Sequence, residues 1–423
     1  MTEDEPPTLL ELIGANACVA GWSSAALQAQ IKRFDLTAHG VPPKARIGLV
    51  LPGGTVNAVG LLSALSWHCV IPLNPTETTS GMVSKLEGAR AVAIVAFEAF
   101  ESAAAAAAAL AVPLIPLRSD PSGPEGAVAL PPPPPGAQKA QTSVVPRTPM
   151  SSEDVVLVLH TSGTTGKSKR VLFSHRRLVA SGQALADSMG LKPSDVGYNV
   201  MPLYHVGGIA CNLMCPLVSR GRMIFREHFS ADGALADLGS SHLRVSWWYA
   251  APAMWQMVLK YAATLSTPPN APYFRIVRSG AATLPHAEAL KLAKLFPRVT
   301  VLPTYSMTEC MPVCAPPADY KLTKPGSVGM PRIPLVIAGP KGEKLAVGEV
   351  GEVTLSGMGK AQLFSGYEPD GGYPNAAAAE AQVGGTFQTG DRGYLDKDGW
   401  LFLVGRSKEC VNRGGEIIPP VEV

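Results

Sequence analysis

The sequence predicts an α/β protein, with a large N-terminal part of two α/β layers and a smaller β-rich subdomain. Short apolar runs alternate with helix-compatible stretches through the first half, the alternation resumes after residue 155, and strand and turn signals dominate from Pro325 onward. The 423 residues, 46% of them hydrophobic, supply a sizeable core and suit compact domains rather than disorder.

In chain order, Arg46–Leu51, Val70–Leu73 and Val92–Val95 are apolar runs separated by stretches such as Thr55–Trp67. A β-α-β-α-β order implies a parallel sheet, because parallel neighbours need a crossover that lies on the sheet's face. Ala103 to Ala109 is uninterrupted alanine and Pro131 to Pro135 uninterrupted proline. Alanine favours helix and proline cannot continue one, so about 98–150 reads as a short helix followed by an extended, exposed linker. Val155–Leu159 is continuously apolar, as a strand buried on both faces should be. Gly197–Met201, Met223–Phe225, Val245–Tyr249 and Arg275–Ser279 read as further strands, with apolar helical stretches between them. Over 325–405 the signals are β-rich, including Gly348–Leu355. Tyr394–Val404 reads as two short strands around an Asp-Gly turn, a hairpin that would bring Asp391 and Arg406 together. No repeat at a solenoid period is evident.

The 36 basic and 33 acidic residues leave a net charge of +3, so no global field points to nucleic acid or to a membrane surface. No apolar run approaches the roughly 20 residues of a membrane helix. Seven cysteines without a disulfide-like framework, and an acidic Met1–Glu5 start, indicate a reducing, cytoplasmic setting. A peroxisomal address beyond Val423 stays open. Cys211 with Cys215 and Cys310 with Cys314 share a spacing that raises zinc, but apolar or proline-rich surroundings and the lack of a histidine pair favour buried, unliganded thiols.

Thr161–Lys169 reads Thr-Ser-Gly-Thr-Thr-Gly-Lys-Ser-Lys. Thr161, Ser162, Thr164 and Thr165 supply hydroxyls, Gly163 and Gly166 allow close backbone approach, and Lys167 and Lys169 supply charge: a phosphate cradle. A Walker loop needs glycine where Thr161 stands and a helix directly after the loop, whereas Val171–Phe173 is strand-like and Ser174 is the first residue able to cap a helix. Strand-loop-strand is therefore expected. A second constellation, Thr304-Tyr305-Ser306-Met307-Thr308-Glu309, follows the apolar Val299–Leu302. Its ring can stack a base, Thr308 can donate to a phosphate oxygen, and Glu309 can hold magnesium. Gln388–Asp391 and Gly405–Gly415 complete the set.

These motifs, in this order, resemble the adenylate-forming superfamily of acyl-CoA synthetases, luciferases and peptide-synthetase adenylation domains. The resemblance runs from Ile71–Pro75 to the last residues, and Asn412–Glu416 and Pro325–Gly329 are similar in wording to oxalyl-CoA synthetase-like ligases. Ser168-Lys169-Arg170 departs from the family's Pro-Lys-Gly, and Ser306 replaces a glycine. The resemblance implies activation of a small carboxylic acid by ATP and magnesium to an acyl-adenylate, then thioester formation with CoA. A carrier-protein pantetheine arm is the alternative acceptor, and a nucleotide-binding regulator without catalysis the alternative class. It assigns catalysis to Lys169, Thr308, Glu309 and His205, the ribose to Asp391 and Arg406, and the acyl pocket to His205, Ser279, Gly280, Ala281, Ala282 and Met307. Arg275 and Arg278 either neutralise a second carboxylate of a small diacid such as oxalate or face solvent. Lys408 matches a hinge, and Arg413, Gly414 and Gly415 match a loop that approaches the thiol acceptor. Residues 1–405 then form the core and 406–423 the hinge and the start of a further domain. In the family that small domain carries a catalytic lysine, so the 423-residue chain is expected to bind ATP, to adenylate poorly and to make hardly any thioester.

Overall fold

Apolar runs bounded by polar turns become strands, and the stretches between them become helices. A computed structural model describes residues 7–15, 18–19, 21–133, 148–161, 169–356, 367–368, 386–406, 411–413 and 416–418, the last two stretches by their backbone. Two compact units emerge: residues 1–186 with 191–230, and 187–190 with 231–423.

The first unit begins with α1 (Leu9–Ala15) and α2 (Ser24–Arg33). The expected alternation follows: β1 (Arg46–Val50), α3 (Gly54–Leu65), β2 (Cys69–Pro72), α4 (Thr79–Gly88), β3 (Ala93–Phe97), α5 (Glu101–Leu110), β4 (Leu114–Ser119) and β5 (Val128–Ala129). β1 pairs in parallel with β2 and β3, and β4 with β3. The alanine run forms α5, and Ala103, Ala106 and Ala107 pack with Met82 and Leu86 of α4 against Ile71 and Ile94 of the sheet. Alanine's small side chain lets the helix approach closely while costing little side-chain entropy. The last two residues of the proline run, Pro134 and Pro135, lie with the rest of 134–147 outside the described residues.

β6 (Val155–Thr161) joins β2 in parallel, and β7 (Lys169–Ser174) pairs antiparallel with β6. This is the expected strand-loop-strand. The order of neighbours is β7-β6-β2-β1-β3-β4-β5. α6 (His175–Met189) starts where Ser174 Oγ accepts the Arg177 amide at 3.2 Å, a capping bond that satisfies one orphan donor. β8 (Val196–Asn199), a π-helix (Gly207–Met214), α7 (Cys215–Ser219) and β9 (Arg222–Phe225) complete the unit, with β8 and β9 parallel. β8 stops two residues short of Met201 because the Asn199 side chain accepts the Met201 amide and donates to the Met201 carbonyl, turning the backbone out of the strand.

His175 is 1% exposed and neither ring nitrogen has a partner. Burial, which outweighs the pull of Glu11 and Asp154, pushes its pKa down to about 4 from 6.5. The unfolded chain therefore takes up this proton first as pH falls. The stability contribution is complete above pH 6.5, is lost between 6.5 and about 4, and amounts to at most about 3 kcal/mol. His175→Gln should flatten the fall of Tm over that interval; an unchanged slope would contradict the assignment.

The second unit contains α8 (Ala231–Gly239), β10 (Trp247–Ala250), α9 (Pro252–Ala262), β11 (Ile276–Ser279), α10 (His286–Leu295) and β12 (Thr300–Pro303). β10, β11 and β12 are parallel neighbours. Trp247, Trp248 and Trp255 are buried, and the last two rings lie 4.4 Å apart. The chain then turns β-rich as expected: β13 (Tyr305–Met307), β14 (Cys310–Ala315) and β15 (Met330–Pro331) form one antiparallel sheet. β16 (Leu335–Ala338), β17 (Gly351–Ser356), β18 (Tyr367–Glu368), β19 (Thr386–Leu395) and β20 (Leu401–Arg406) follow, with sheet order β16-β17-β19-β20. β21 (Val411–Arg413) and β22 (Glu416–Ile418) pair with each other. The thiols of both cysteine pairs are buried. Among the described residues no helix is long and apolar enough to cross a membrane.

Candidate functional site

In the first unit, Thr161 and Lys169 are register partners on β6 and β7, so the ladder closes directly beneath the hydroxyl-rich loop. Ser162, Gly163, Thr164, Thr165, Gly166 and Lys167 lie outside the described residues. Arg170, the residue in place of the family's glycine, is 6% exposed. Its Nη1 lies 2.7 Å from where a Cβ on Gly88 would stand, so the guanidinium occupies space left open by the glycine that ends α4.

His205 lies between β8 and the π-helix, and its amide donates to the Pro202 carbonyl at 3.4 Å. That carbonyl would be 2.1 Å from a Cβ on Gly208, a clash no rotamer relieves. Gly208→Ala should therefore cost about 1–3 kcal/mol and lower Tm measurably; an unchanged Tm would show that the loop relaxes freely. Asn199 Oδ1 also accepts Asn212 Nδ2 at 2.6 Å, which ties the strand end to a π-helix whose residues are all buried. π-helical turns occur often at functional sites. The His205 and Tyr204 rings are 4.7 Å apart. Burial first, then the positive charge of Lys85, holds His205 below its ordinary pKa, so the ring is neutral at pH 7.

In the second unit, Ser279 closes β11 and its carbonyl accepts both the amide of Thr304 at 2.9 Å and the Thr304 hydroxyl at 3.1 Å. A Cβ on Gly280 would meet the Tyr249 hydroxyl at 3.0 Å and Thr304 Oγ1 at 3.3 Å. Ala281 holds a left-handed φ of 69°, uncommon for a residue with a Cβ and of the kind concentrated at functional sites. Ala281 and Ala282 are exposed.

The Tyr305 hydroxyl donates to Asp391 Oδ2 at 2.5 Å, and Arg406 Nε lies 3.2 Å from Asp391 Oδ1. The hairpin expected from Tyr394–Val404 produces this: β19 and β20 place Asp391 opposite Arg406 in register. Burial first, then the Asp391 charge, pushes the Tyr305 pKa well up, so the phenol stays a donor. A carboxylate has about four acceptor sites, so Asp391 held this way keeps lone pairs for a diol.

Glu309 is 6% exposed at the turn between β13 and β14, beside Thr308, and it accepts the hydroxyl of Tyr367. Tyr367 is a site residue the sequence reading missed; it lies 58 positions away with no local pattern linking it to Glu309. Burial first, then Glu309, raises the Tyr367 pKa, so it too remains a donor. Met307 pairs with Cys310, and Ser306 Oγ is buried without a partner. Arg413 is placed on β21 by its backbone, and Lys408, Gly414 and Gly415 lie outside the described residues.

Residues 26–368 match the sequence profile of the AMP-binding enzyme family. The chain belongs to that family. It is 34% identical over 284 residues to an oxalate–CoA ligase of Saccharomyces cerevisiae, covering 64% of this chain and 48% of that protein. It is 32% identical over 282 residues to a sulfoacetate–CoA ligase of Cupriavidus necator, covering 66% of this chain and 52% of that protein. The chain spans about half the length of the curated relatives it matches. Its fold is that of o-succinylbenzoate coenzyme A synthetase (MenE) from Bacillus subtilis in complex with ATP and magnesium ion: TM-score 0.81 at 20% identity, covering 99% of this chain and 83% of that one. As an AMP-binding enzyme, the chain has a donor set that suits magnesium. Magnesium bound to phosphates asks the protein for only one or two carboxylates, and the Tyr367-braced Glu309 supplies one. The lack of a group of three His, Cys, Asp or Glu ligands among the described residues is no obstacle.

Proposed function

We propose that the protein is an acid–thiol ligase that activates a small carboxylic acid with ATP and transfers the acyl group to the thiol of CoA. In the first step a carboxylate oxygen bonds to the α-phosphorus and pyrophosphate leaves. In the second the thiol sulfur bonds to the acyl carbon and AMP leaves with the oxygen that linked them. The observation that carries this reading is Asp391 fixed between the Tyr305 hydroxyl and Arg406, an arrangement that leaves carboxylate lone pairs to accept from a ribose diol.

Both reactants of the first step are anions, so the protein must neutralise their repulsion and the charge that builds on phosphate. Thr161, the hydroxyls and amides of 162–166, Lys167 and Lys169 would cradle the phosphates, with Thr308 donating to one of them. Glu309 would hold magnesium, which screens phosphate charge and aids departure of pyrophosphate. Thr304, Tyr305 and Ser306 would line the nucleotide. Ser279–Ala282 and Met307 would face the acid, and His205, kept neutral, would gate the path of the thiol. Lys408, Arg413, Gly414 and Gly415 would serve the second step. Relatives named for oxalate, sulfoacetate and succinylbenzoate each denote an acid with a second anionic group, and one named for indoleacetate denotes a monoacid; the two with higher identity, for oxalate and sulfoacetate, favour the short dianions.

Pyrophosphate–ATP exchange by the full-length protein across oxalate, malonate, acetate, a medium-chain fatty acid and an aryl acid tests the reading. Exchange that depends on one of the acids is expected. ATP binding without exchange for any acid would identify a nucleotide-binding regulator instead. With the exchanging acid in hand, free CoA compared with a pantetheine-loaded carrier identifies the acceptor.

A further inference from the structure

Arg278 is 0% exposed, in the middle of the second unit's parallel sheet. Its Nη1 donates to Ser188 Oγ at 2.8 Å, and its Nε and Nη2 have no partner. A guanidinium stays charged at any physiological pH, so enclosing it with open donors is costly unless a counter-ion completes the site. No carboxylate pairs with it among the described residues, and the charge that Arg332 feels from it has the same sign. The two open donors lie along one edge of the guanidinium and form the parallel fork that fits both oxygens of a carboxylate.

The strand geometry places this fork on the face of Gly280, one of the residues proposed above to face the acid. Alternation along β11 puts Arg278 and Gly280 on one face, and the registers set Tyr249 and Leu302 beside Arg278. The contacts agree, because the missing Cβ of Gly280 is closed in by the Tyr249 hydroxyl at 3.0 Å and by Thr304 Oγ1 at 3.3 Å. The face therefore carries an arginine fork and two hydroxyls that close over a buried glycine, at the carboxyl ends of parallel strands, where open α/β sheets bind ligands. Arg275, by contrast, donates through Nη2 to the Gly190 carbonyl at 3.0 Å and ties the start of the strand to the end of α6.

We propose that Arg278 determines acid specificity by receiving the substrate's second anionic group, a carboxylate or sulfonate, with Tyr249 and Thr304 flanking it. This rests on the reading that the protein binds a small acid. Arg278 thus selects short dianions, and Tyr249 over Gly280 shortens the space for an aliphatic chain.

The test combines direct binding with exchange on the full-length protein. Calorimetry or thermal shift with oxalate, malonate, sulfoacetate, acetate and propionate should show the dianions binding at least tenfold more tightly than the monoanions. The carboxylate and sulfonate arms identify which group is preferred. In Arg278→Met that preference should disappear. Exchange kcat/KM for the preferred dianion should fall 100-fold or more with KM for ATP unchanged, and Arg278→Lys should recover only part of it. Dianion preference in binding that is lost in Arg278→Met, with no exchange for any acid, would sink the ligase reading and leave this inference standing. Exchange that persists with equal use of monoanions and dianions, or a preference unchanged in Arg278→Met, would overturn the inference and leave the ligase reading intact. If Arg278→Met does not fold, the wild-type ranking and Arg278→Lys decide: no wild-type preference, or full activity in the lysine variant, rejects it.

Discussion

Asp391→Asn should weaken ATP binding about 100-fold while lowering Tm by only a few degrees. Charged acceptors form hydrogen bonds worth about 1.5–3 kcal/mol, and this carboxylate can make two of them to a ribose diol. The amide keeps one oxygen for the Tyr305 hydroxyl, now 2.5 Å from Oδ2, but removes the charge that holds Arg406 at 3.2 Å and turns one acceptor into a donor. Calorimetry with ATP and a melting curve separate the two effects. An affinity within twofold of the wild type would remove Asp391 from the nucleotide site, and a collapse of Tm would make its role structural.

Lys169→Ala is expected to lower kcat/KM for acid-dependent pyrophosphate exchange by about 10²–10³-fold, the usual effect of deleting a donor aimed at developing charge. Lys169 is the first residue of β7, and its backbone pairs with Thr161, so the strand should survive loss of the side chain with Tm within a few degrees. Unchanged exchange would count against the phosphate-cradle assignment. The nearby Arg170 makes a useful contrast: it runs into the end of α4 beside Gly88, so its replacement should lower Tm more than it lowers exchange.

Where local chemistry decides structure, the sequence was legible. The apolar Val155–Leu159, the strand-like Val171–Phe173 and the capping Ser174 foretold β6, β7 and the start of α6. The Asp-Gly turn sets the register of β19 and β20 as far as Gly393, and a one-residue shift between Arg392 and Gly393, which the sequence does not announce, then brings Asp391 opposite Arg406. Contacts set by distant packing left no such trace. Nothing around Glu309 points to Tyr367, and the Asn199–Asn212 bond joins two polar residues hidden within apolar runs. The π-helix has the composition of an ordinary buried helix, because seven apolar or small residues and Asn212 show no period that separates the two. Arg275 and Arg278 look alike as strand arginines, and only tertiary packing makes the first a backbone tie and the second an enclosed fork.

In the proposed ligase reaction the acid's own oxygen becomes bonded to the α-phosphorus of ATP. Full-length protein supplied with carboxyl-¹⁸O acid, ATP, magnesium and CoA should release AMP carrying one ¹⁸O per turnover, alongside unlabelled pyrophosphate. Label appearing in inorganic phosphate, with ADP rather than AMP as the nucleotide product, would contradict it.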